Sequence, residues 1–196
     1  MREGEFEAAC ARFREAIGVL ASVPDREWSF LRARLKPAAF RRGEDLVTAG
    51  DDPRHFWFLD KGLLRFFYVS ESGREFNKAF ARPGEVFGAL VATVTGEPCG
   101  FSIQAVSDAF TVAVPNALLE ALYERHPCWE RIGRRLAEQA TVRKEVRERE
   151  LLIDDPLERY RHFRERYSDI AGDIPQRQIA AYIGISEVQL SRLLNR

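Results

Sequence analysis

The last stretch of the chain, residues 174–196, carries the pattern that most restricts how the chain can fold. Asp173 is placed to cap a helix, with Gln176 three residues later and Pro175 in the first turn, where its missing N–H costs nothing. Gly184 then supplies the positive φ at which a helix ends most easily. The spacing predicts one short helix that stops at a tight turn.

A second short helix is predicted directly after this turn. Ser186 can cap it, and Gln189 follows three residues later, as a capping box requires. The inward-facing positions of the pair are apolar: Ile179, Ala180, Ile183, Ile185, Leu190, Leu193 and Leu194. The outward-facing positions of the second helix are mostly polar: Glu187, Val188, Gln189, Ser191, Arg192, Asn195 and Arg196.

These features together have the spacing of a DNA-binding helix-turn-helix, with alanine where two helices cross and glycine at the turn. The outward face is small and polar enough to enter a major groove, where Arg can read guanine and Gln or Asn can read adenine. The alternative interpretation is a short helical hairpin inside a protein core, because such a hairpin shows the same apolar spacing.

The composition, with 45% hydrophobic and 31% charged residues, is that of an ordinary globular protein. The formal net charge is zero, so any positive surface for nucleic acid must come from arrangement rather than from an excess of cations. Cys10, Cys99 and Cys128 are widely spaced, which is typical of lone thiols in a reducing compartment. Because no signal-like segment or bilayer-length apolar run is present, a cytoplasmic protein without a membrane partner is expected.

The first two thirds of the chain divide into a helical and a β region. Residues 5–35 predict two packing helices, broken at Pro24. Between Lys36 and Val114, short stretches rich in aromatic and β-branched residues alternate with glycine turns. This pattern predicts an antiparallel sandwich or barrel with strands at 56–59, 63–69, 75–80, 101–106 and 110–114.

Asn116 opens a further helix that Pro127 stops, and a longer helix is predicted over residues 129–152. Its place between the β region and the C-terminal motif favours a connector that also forms a dimer seam. A solvated helix with scattered ion pairs is the alternative. The candidate inward-facing residues are Trp129, Ile132, Gly133, Leu136, Ala140, Arg143, Val146 and Arg147, of which the first six are assigned to the dimer seam.

This order of parts resembles the family of the cyclic-AMP receptor protein and the fumarate-nitrate regulator, the Crp-Fnr regulators, over about residues 30–196. Besides the terminal motif, the resemblance rests on a roll signature: Arg42-Gly43-Glu44-Asp45-Leu46, Ala49-Gly50-Asp51, Phe56-Trp57-Phe58-Leu59 and Lys61-Gly62-Leu63-Leu64-Arg65. It implies an α+β fold, with a cyclic-nucleotide-binding-like antiparallel jelly roll, a cupin-like β-roll, in a sensor domain at 1–127. A connecting and dimerisation helix at 128–153 and a helix-turn-helix DNA-binding domain at 154–196 would follow.

The resemblance implies a homodimeric transcription regulator. Its partners would be a second copy, double-stranded DNA, RNA polymerase and a small-molecule effector. The DNA site would be pseudo-palindromic, because two recognition helices related by a twofold axis lie about one helical turn (~34 Å) apart. Carried over position by position, the base contacts would be Glu187, Val188, Gln189 and Arg192. The phosphate contacts would be Gln176, Arg177, Ser186 and Ser191.

The sequence departs from the family where nucleotide-responsive members carry Gly-Glu-Leu and then an Arg-Ser or Arg-Thr pair. Here the segments are Gly88-Ala89-Leu90 and Cys99-Gly100-Phe101-Ser102, so no arginine can pair with a cyclic phosphate. Cyclic AMP is therefore not the predicted ligand. Only Cys10 lies where the oxygen-sensing branch has its cysteine cluster, so no iron–sulfur group or other cofactor is predicted. The implied effector pocket comprises Gly84, Glu85, Phe87, Gly88, Ala89, Leu90, Cys99, Gly100, Phe101 and Ser102.

Two other classes of function are weighed. A metal enzyme on a cupin-like roll would need clustered histidines, but His55, His126 and His162 lie in separate segments. No nucleophile elbow, P-loop or Rossmann glycine pattern occurs, so no enzyme is predicted. A sensor or adaptor that binds a ligand or protein partner without binding DNA stays open, since the C-terminal region is neutral and no wing hairpin is expected after the last helix.

Overall fold

In the computed structural model, which describes residues 3–52 and 54–195, eight strands form two four-stranded antiparallel sheets. The strands are β1 Lys36–Phe40, β2 Asp45–Val47, β3 His55–Lys61, β4 Leu64–Val69, β5 Glu75–Ala81, β6 Val86–Phe87, β7 Ser102–Ala105 and β8 Ala109–Pro115. One sheet has the order β1-β8-β3-β6 and the other β2-β7-β4-β5, so the predicted antiparallel roll is confirmed.

Eight α-helices surround and follow the roll, with a short 3₁₀ helix at Asn116–Leu118 before the fourth of them. They are α1 Glu3–Gly18, α2 Asp25–Arg32, α3 Leu90–Thr95, α4 Leu119–Arg125, α5 Pro127–Ile153, α6 Pro156–Arg166, α7 Gln176–Ile183 and α8 Glu187–Leu194. None of the described helices is both long and apolar enough to cross a lipid bilayer.

Strand β3 shows why the roll needs helices on one side. Phe58 points into a core formed with α1, α2, α4 and the start of α5, where Phe13 stacks on its ring. Trp57 and Leu59 point the other way, into the space between the two sheets. Because successive side chains of a strand face opposite sides, a strand buried on both faces reads as a continuous apolar run.

Three strands and one helix were not predicted. β1 contains Pro37, which lowers the strand propensity of the segment but is tolerated because β1 is the edge of its sheet. β2 and β6 have three and two residues, too few to show a period. α3 lies within an apolar run, residues 87–94, for which the sequence alone does not distinguish a helix from a strand.

Helix α5 begins at Pro127, two residues before the predicted position. His126 caps it, its Nδ1 accepting a hydrogen bond from the Cys128 amide at 3.1 Å, and Pro127 occupies the first turn. A short hinge follows, and Asp155 caps α6 by accepting from the amides of Leu157 (2.8 Å) and Glu158 (3.0 Å). The chain therefore turns sharply between two well-capped helices.

The C-terminal helices α7 and α8 are joined by a short turn at Gly184, whose φ of 83° suits glycine. The capping box of α8 is confirmed: the Gln189 amide donates to Ser186 Oγ at 3.2 Å, and the Ser186 amide donates to Gln189 Oε1 at 2.9 Å. The predicted Asp173 cap is wrong, because Pro175 holds the N-cap position of α7. Leu194 is also 40% exposed rather than buried, since α8 ends there.

Candidate functional site: a central cavity and an exposed C-terminal helix

Helix α8 presents a polar face that no other part of the described chain covers. The side of the helix towards the core is held by Leu190, which is fully buried beside Ile183 and Ala180. The eight residues predicted to contact DNA are all exposed: Gln176, Arg177, Ser186, Glu187, Val188, Gln189, Ser191 and Arg192. Asn195 is exposed as well, and Arg196 lies outside the described residues.

Helix α7 is docked on strand β5 through a buried polar network. Gln178 is 5% exposed, and its Oε1 accepts hydrogen bonds from Arg65 Nη1 at 2.9 Å and Asn77 Nδ2 at 2.7 Å. Asn77 Nδ2 also donates to the Gln178 carbonyl at 2.8 Å. Buried polar groups with several partners fix one arrangement, because any shift leaves a donor or acceptor unpaired. The direction of α8 is thereby tied to the sheet.

An aromatic cluster surrounds this network on the side towards α6. Phe80 of β5 packs edge-on against Tyr167 with ring centroids 5.5 Å apart, and Phe163 lies 5.3 Å from Tyr182. The Tyr167 hydroxyl accepts from the Phe80 amide at 3.2 Å. Burial raises the pKa of Tyr167 strongly. The C-terminal helices thus share a core with the edge of the roll.

A second link joins α5 to the C-terminal helices through the carboxylate of Glu150. Glu150 is 3% exposed and is bound by Arg166 of α6 and Arg147 of its own helix. Arg166 also donates to the Tyr182 hydroxyl, and Arg147 to the Tyr182 carbonyl. Burial by itself would raise the pKa of Glu150, but the hydrogen bonds and charges of the two arginines outweigh it and the pKa is lowered.

A cavity of about 590 Å³ lies between the roll, α3, α5 and these C-terminal helices. Phe66, Phe87 and Phe101 of the roll form an aromatic wall, and Tyr167 and Tyr182 close the C-terminal side. The volume falls within the range of about 300–1,000 Å³ usual for sites that bind small molecules. A ligand there would touch the sheet, the long helix and the C-terminal unit at once.

Half of the predicted effector-pocket residues line this cavity: Glu85, Phe87, Gly88, Leu90 and Phe101. The other half do not. Ala89 and Cys99 are 1% exposed within the core between the sheets, and Ser102 accepts a hydrogen bond from the Ala49 amide at 3.0 Å. Gly84 and Gly100 are exposed in turns outside the cavity.

The predicted seam residues of α5 also separate into groups. Trp129 and Ile132 are buried in the chain's own core, and Trp129 Nε1 donates to Glu27 at 3.2 Å, so their assignment to a dimer seam is wrong. Gly133 is where the Tyr123 hydroxyl approaches, since a Cβ there would lie 2.6 Å from it. Leu136, Ala140 and Arg143 line the cavity. The start of the helix is core because α1, α2 and α4 cover it.

Three functional candidates escaped the sequence analysis: Lys78, Gln178 and Glu150. Each is a polar residue, and the apolar period used to predict inward-facing positions does not reveal polar residues with a role in the interior. Among residues 3–52 and 54–195, no three His, Cys, Asp or Glu side chains are close enough to hold a metal ion. The cavity, rather than any metal site, is the candidate centre of chemistry.

The family model of the cyclic nucleotide-binding domain matches residues 37–126. Comparison with curated protein sequences finds no match. Solved structures are similar along most of the chain. FixK2 from Bradyrhizobium japonicum is 21% identical, with 82% of this chain and 83% of FixK2 covered and a TM-score of 0.72.

Two further structures agree. The c-di-GMP responsive global regulator CLP from Xanthomonas campestris is 13% identical, with 88% of this chain and 90% of CLP covered and a TM-score of 0.71. A Eubacterium rectale protein described as a transcriptional regulator of the Crp/Fnr family is 14% identical, with 88% and 82% covered and a TM-score of 0.73. Residues 37–126 therefore match the model of the cyclic nucleotide-binding domain, and most of the chain has the fold of these three regulator structures.

Proposed function

We propose that this chain is a homodimeric transcription regulator that binds DNA through α8 and senses a small molecule other than cyclic AMP. Its parts would be a sensor domain at residues 1–127, a dimerising connector at 128–153 and a helix-turn-helix domain at 154–196. The observation that carries the proposal is the bare polar face of α8 beside a glycine turn. Such a helix is free to enter a major groove.

The side chains of α8 suit the reading of base edges. Arg192 is exposed and can donate two hydrogen bonds to guanine, whereas Val188, 59% exposed, can contact only a thymine methyl group. Ser186, Ser191 and Arg177 surround this face and suit phosphate oxygens, which position a protein without selecting a sequence. The half-site is therefore expected to combine a guanine with a nearby thymine.

Exposed apolar residues support a dimer along the second half of α5. Val142 and Val146 are 61% and 44% exposed and lie four residues apart, on one face of the helix. Leu152 and Ile153 extend the apolar surface towards the hinge. Two copies joined here would place two α8 helices about a twofold axis, which fits a pseudo-palindromic site.

Replacing Arg192 with alanine is expected to weaken DNA binding by roughly 5- to 150-fold, the equivalent of about 1–3 kcal/mol for a lost bidentate base contact. The measurement is a gel-shift titration with DNA from upstream of the chain's own gene, repeated over a range of salt concentrations. Arg26→Ala is the matched control, because it removes an exposed arginine from the distant helix α2. Wild-type protein that fails to bind at low salt would favour the sensor or adaptor without DNA binding.

Added cyclic AMP is expected to leave the melting temperature of the protein unchanged. Position 89 is a buried alanine where a ribose acceptor would be needed, and the buried Cys99 and its neighbour Gly100 offer no guanidinium for the phosphate. A thermal-shift titration tests this, with adenosine as the uncharged control. A rise in melting temperature that grows with cyclic AMP concentration would refute the prediction, because a ligand that binds only the native state stabilises it.

A further inference from the structure

The cations that line the cavity fall into two groups. Arg82, Arg147 and Arg166 are each held by a carboxylate: Arg82 by Glu85 and Asp169, the other two by Glu150. Lys78, Arg143 and Lys144 also line the cavity, and within the described part of the chain none of them forms an ion pair or a hydrogen bond through its side chain. The second group is an excess of positive charge beside the cavity, and all three of its residues are exposed to solvent.

Lys78 lies against the aromatic wall. Its Nζ is 4.1 Å from the centre of the Phe101 ring and 5.8 Å from that of Tyr68, positions in which a cation is attracted by the ring faces. Lys78 is also close enough to Lys144 for the two positive charges to repel each other. A cation from β5 thus stands beside the very segment, residues 99–102, in which the sequence has no arginine.

The electrostatics of Lys78 favour an anionic neighbour. Lys78 is exposed to solvent, but partial desolvation lowers its pKa and the nearby ammonium of Lys144 lowers the pKa further. An anion placed between Lys78 and Lys144 would remove this penalty. The carboxylates that line the cavity do not fill the role, because Glu85 already pairs with Arg82 and Glu120 lies on α4.

The remaining residues that line the cavity indicate the chemistry of the uncharged part of the ligand. The α5 part of the lining extends from Trp129 to Arg147, and α4 contacts it at Gly133 through Tyr123. The lining is mainly aromatic and aliphatic, including Phe66, Phe87 and Leu136. This surface suits a flat apolar group and offers little to a sugar.

We propose that the cavity binds a small planar apolar molecule with one anionic group, and that Lys78, together with Lys144 and Arg143, holds the anion. The inference rests on the proposed sensor function and names the class of its effector. The anion could be a carboxylate, a sulfonate or a phosphate, since a lysine pairs with each as a point charge. Lys78 of β5 and the two cations of α5 thus take the place of the arginine that nucleotide-responsive members carry and this sequence lacks.

The test uses two fluorescent naphthalene probes on the full chain, 1-anilinonaphthalene-8-sulfonate, an anion, and N-phenyl-1-naphthylamine, its neutral counterpart. Wild-type protein is expected to bind the anionic probe saturably at one site per chain. Lys78→Gln should weaken that binding about tenfold, as expected for the loss of one charged contact, and leave the neutral probe unchanged. Lys78→Arg should bind the anion within about threefold of wild type, because the charge is kept.

Lys36→Gln is the matched control, because Lys36 is an exposed lysine of β1 that does not line the cavity. Displacement of the anionic probe by 2-naphthoate or by 2-naphthyl phosphate identifies whether a carboxylate or a phosphate is accepted, and 2-naphthoate is the expected competitor. Equal loss of both probes in Lys78→Gln, or no change in either, would overturn the proposal. Because no DNA is present, a failure here leaves the gel-shift result for Arg192 unaffected, and the two proposals fail separately.

Discussion

Replacing Glu150 with alanine is expected to lower the free energy of unfolding by about 3–5 kcal/mol, the usual cost of removing one partner of a buried ion pair. Glu150 is the one carboxylate that faces both Arg166 and Arg147 in the described chain, and its side chain is 3% exposed. Without it, two guanidinium groups are left close together at the junction of α5, α6 and α7. Urea denaturation followed by circular dichroism measures the loss.

The same carboxylate makes the junction sensitive to acid. Because the folded-state pKa of Glu150 is lowered below its ordinary value of 4.5, its contribution is fully present above that value and is lost as the pH falls through the lower, folded pKa. The stability difference between wild type and Glu150→Gln should therefore shrink below about pH 4.5. Glu148→Ala, which removes an exposed glutamate from the same helix, is the control and should cost less than about 0.5 kcal/mol. A Glu150→Ala protein as stable as this control would contradict the assigned role of the ion network.

Sequence reasoning succeeded where one local rule decided the structure. The structure contains the five predicted strands and the predicted capping box at Ser186, because apolar period and capping chemistry act over a few residues. The prediction that Asp173 caps α7 is wrong because two local signals, Asp173 and Pro175, compete for one helix start. Pro175 occupies the N-cap position. Two short strands carried no period at all.

The cavity was harder to predict because it is assembled from distant parts of the chain. The family resemblance predicted the lining residues near α3, including Gly88 and Leu90. It did not predict that α5 and the C-terminal tyrosines line the cavity as well. Lys78 follows the inward-facing Asn77 on β5 and looked like an ordinary exposed strand residue. Its role is visible only in the folded chain, where the ring centre of Phe101, which is distant in sequence, lies 4.1 Å from the ammonium nitrogen of Lys78.

Replacing Arg65 should also lower the stability strongly, because its side chain links the neighbouring strands β5 and β7 to helix α7. It is 4% exposed, donates to Gln104 at 2.7 and 2.9 Å and to Gln178 at 2.9 Å, and pairs with Glu75. The guanidinium also lies 3.9 Å from the centre of the Phe67 ring. Arg65→Met keeps the apolar contact with that ring but removes every donor. We expect a loss of about 2–4 kcal/mol, because the amide oxygens of the buried Gln178 and the half-buried Gln104 lose charged hydrogen bonds.

Arg74→Met is the matched control. Arg74 lies over the Phe76 ring at 4.7 Å but is exposed, and its side chain makes no hydrogen bond in the described chain, so the change should cost less than about 0.5 kcal/mol. Combining Arg65→Met with Gln178→Leu completes a double-mutant cycle, in which a coupling energy above about 1 kcal/mol is expected for directly bonded residues.

Hydrogen exchange places the effect within the fold. If the Arg65–Gln178 contact ties α7 to β5, the amides of α7 should exchange faster in Arg65→Met, while those of α1, which belong to a separate core, should not. Additive losses in the cycle, or equal acceleration in α1 and α7, would mean that Arg65 stabilises the roll alone. The docking of α7 would then rest on the aromatic cluster around Phe80, and the direction of α8 would be independent of the polar network.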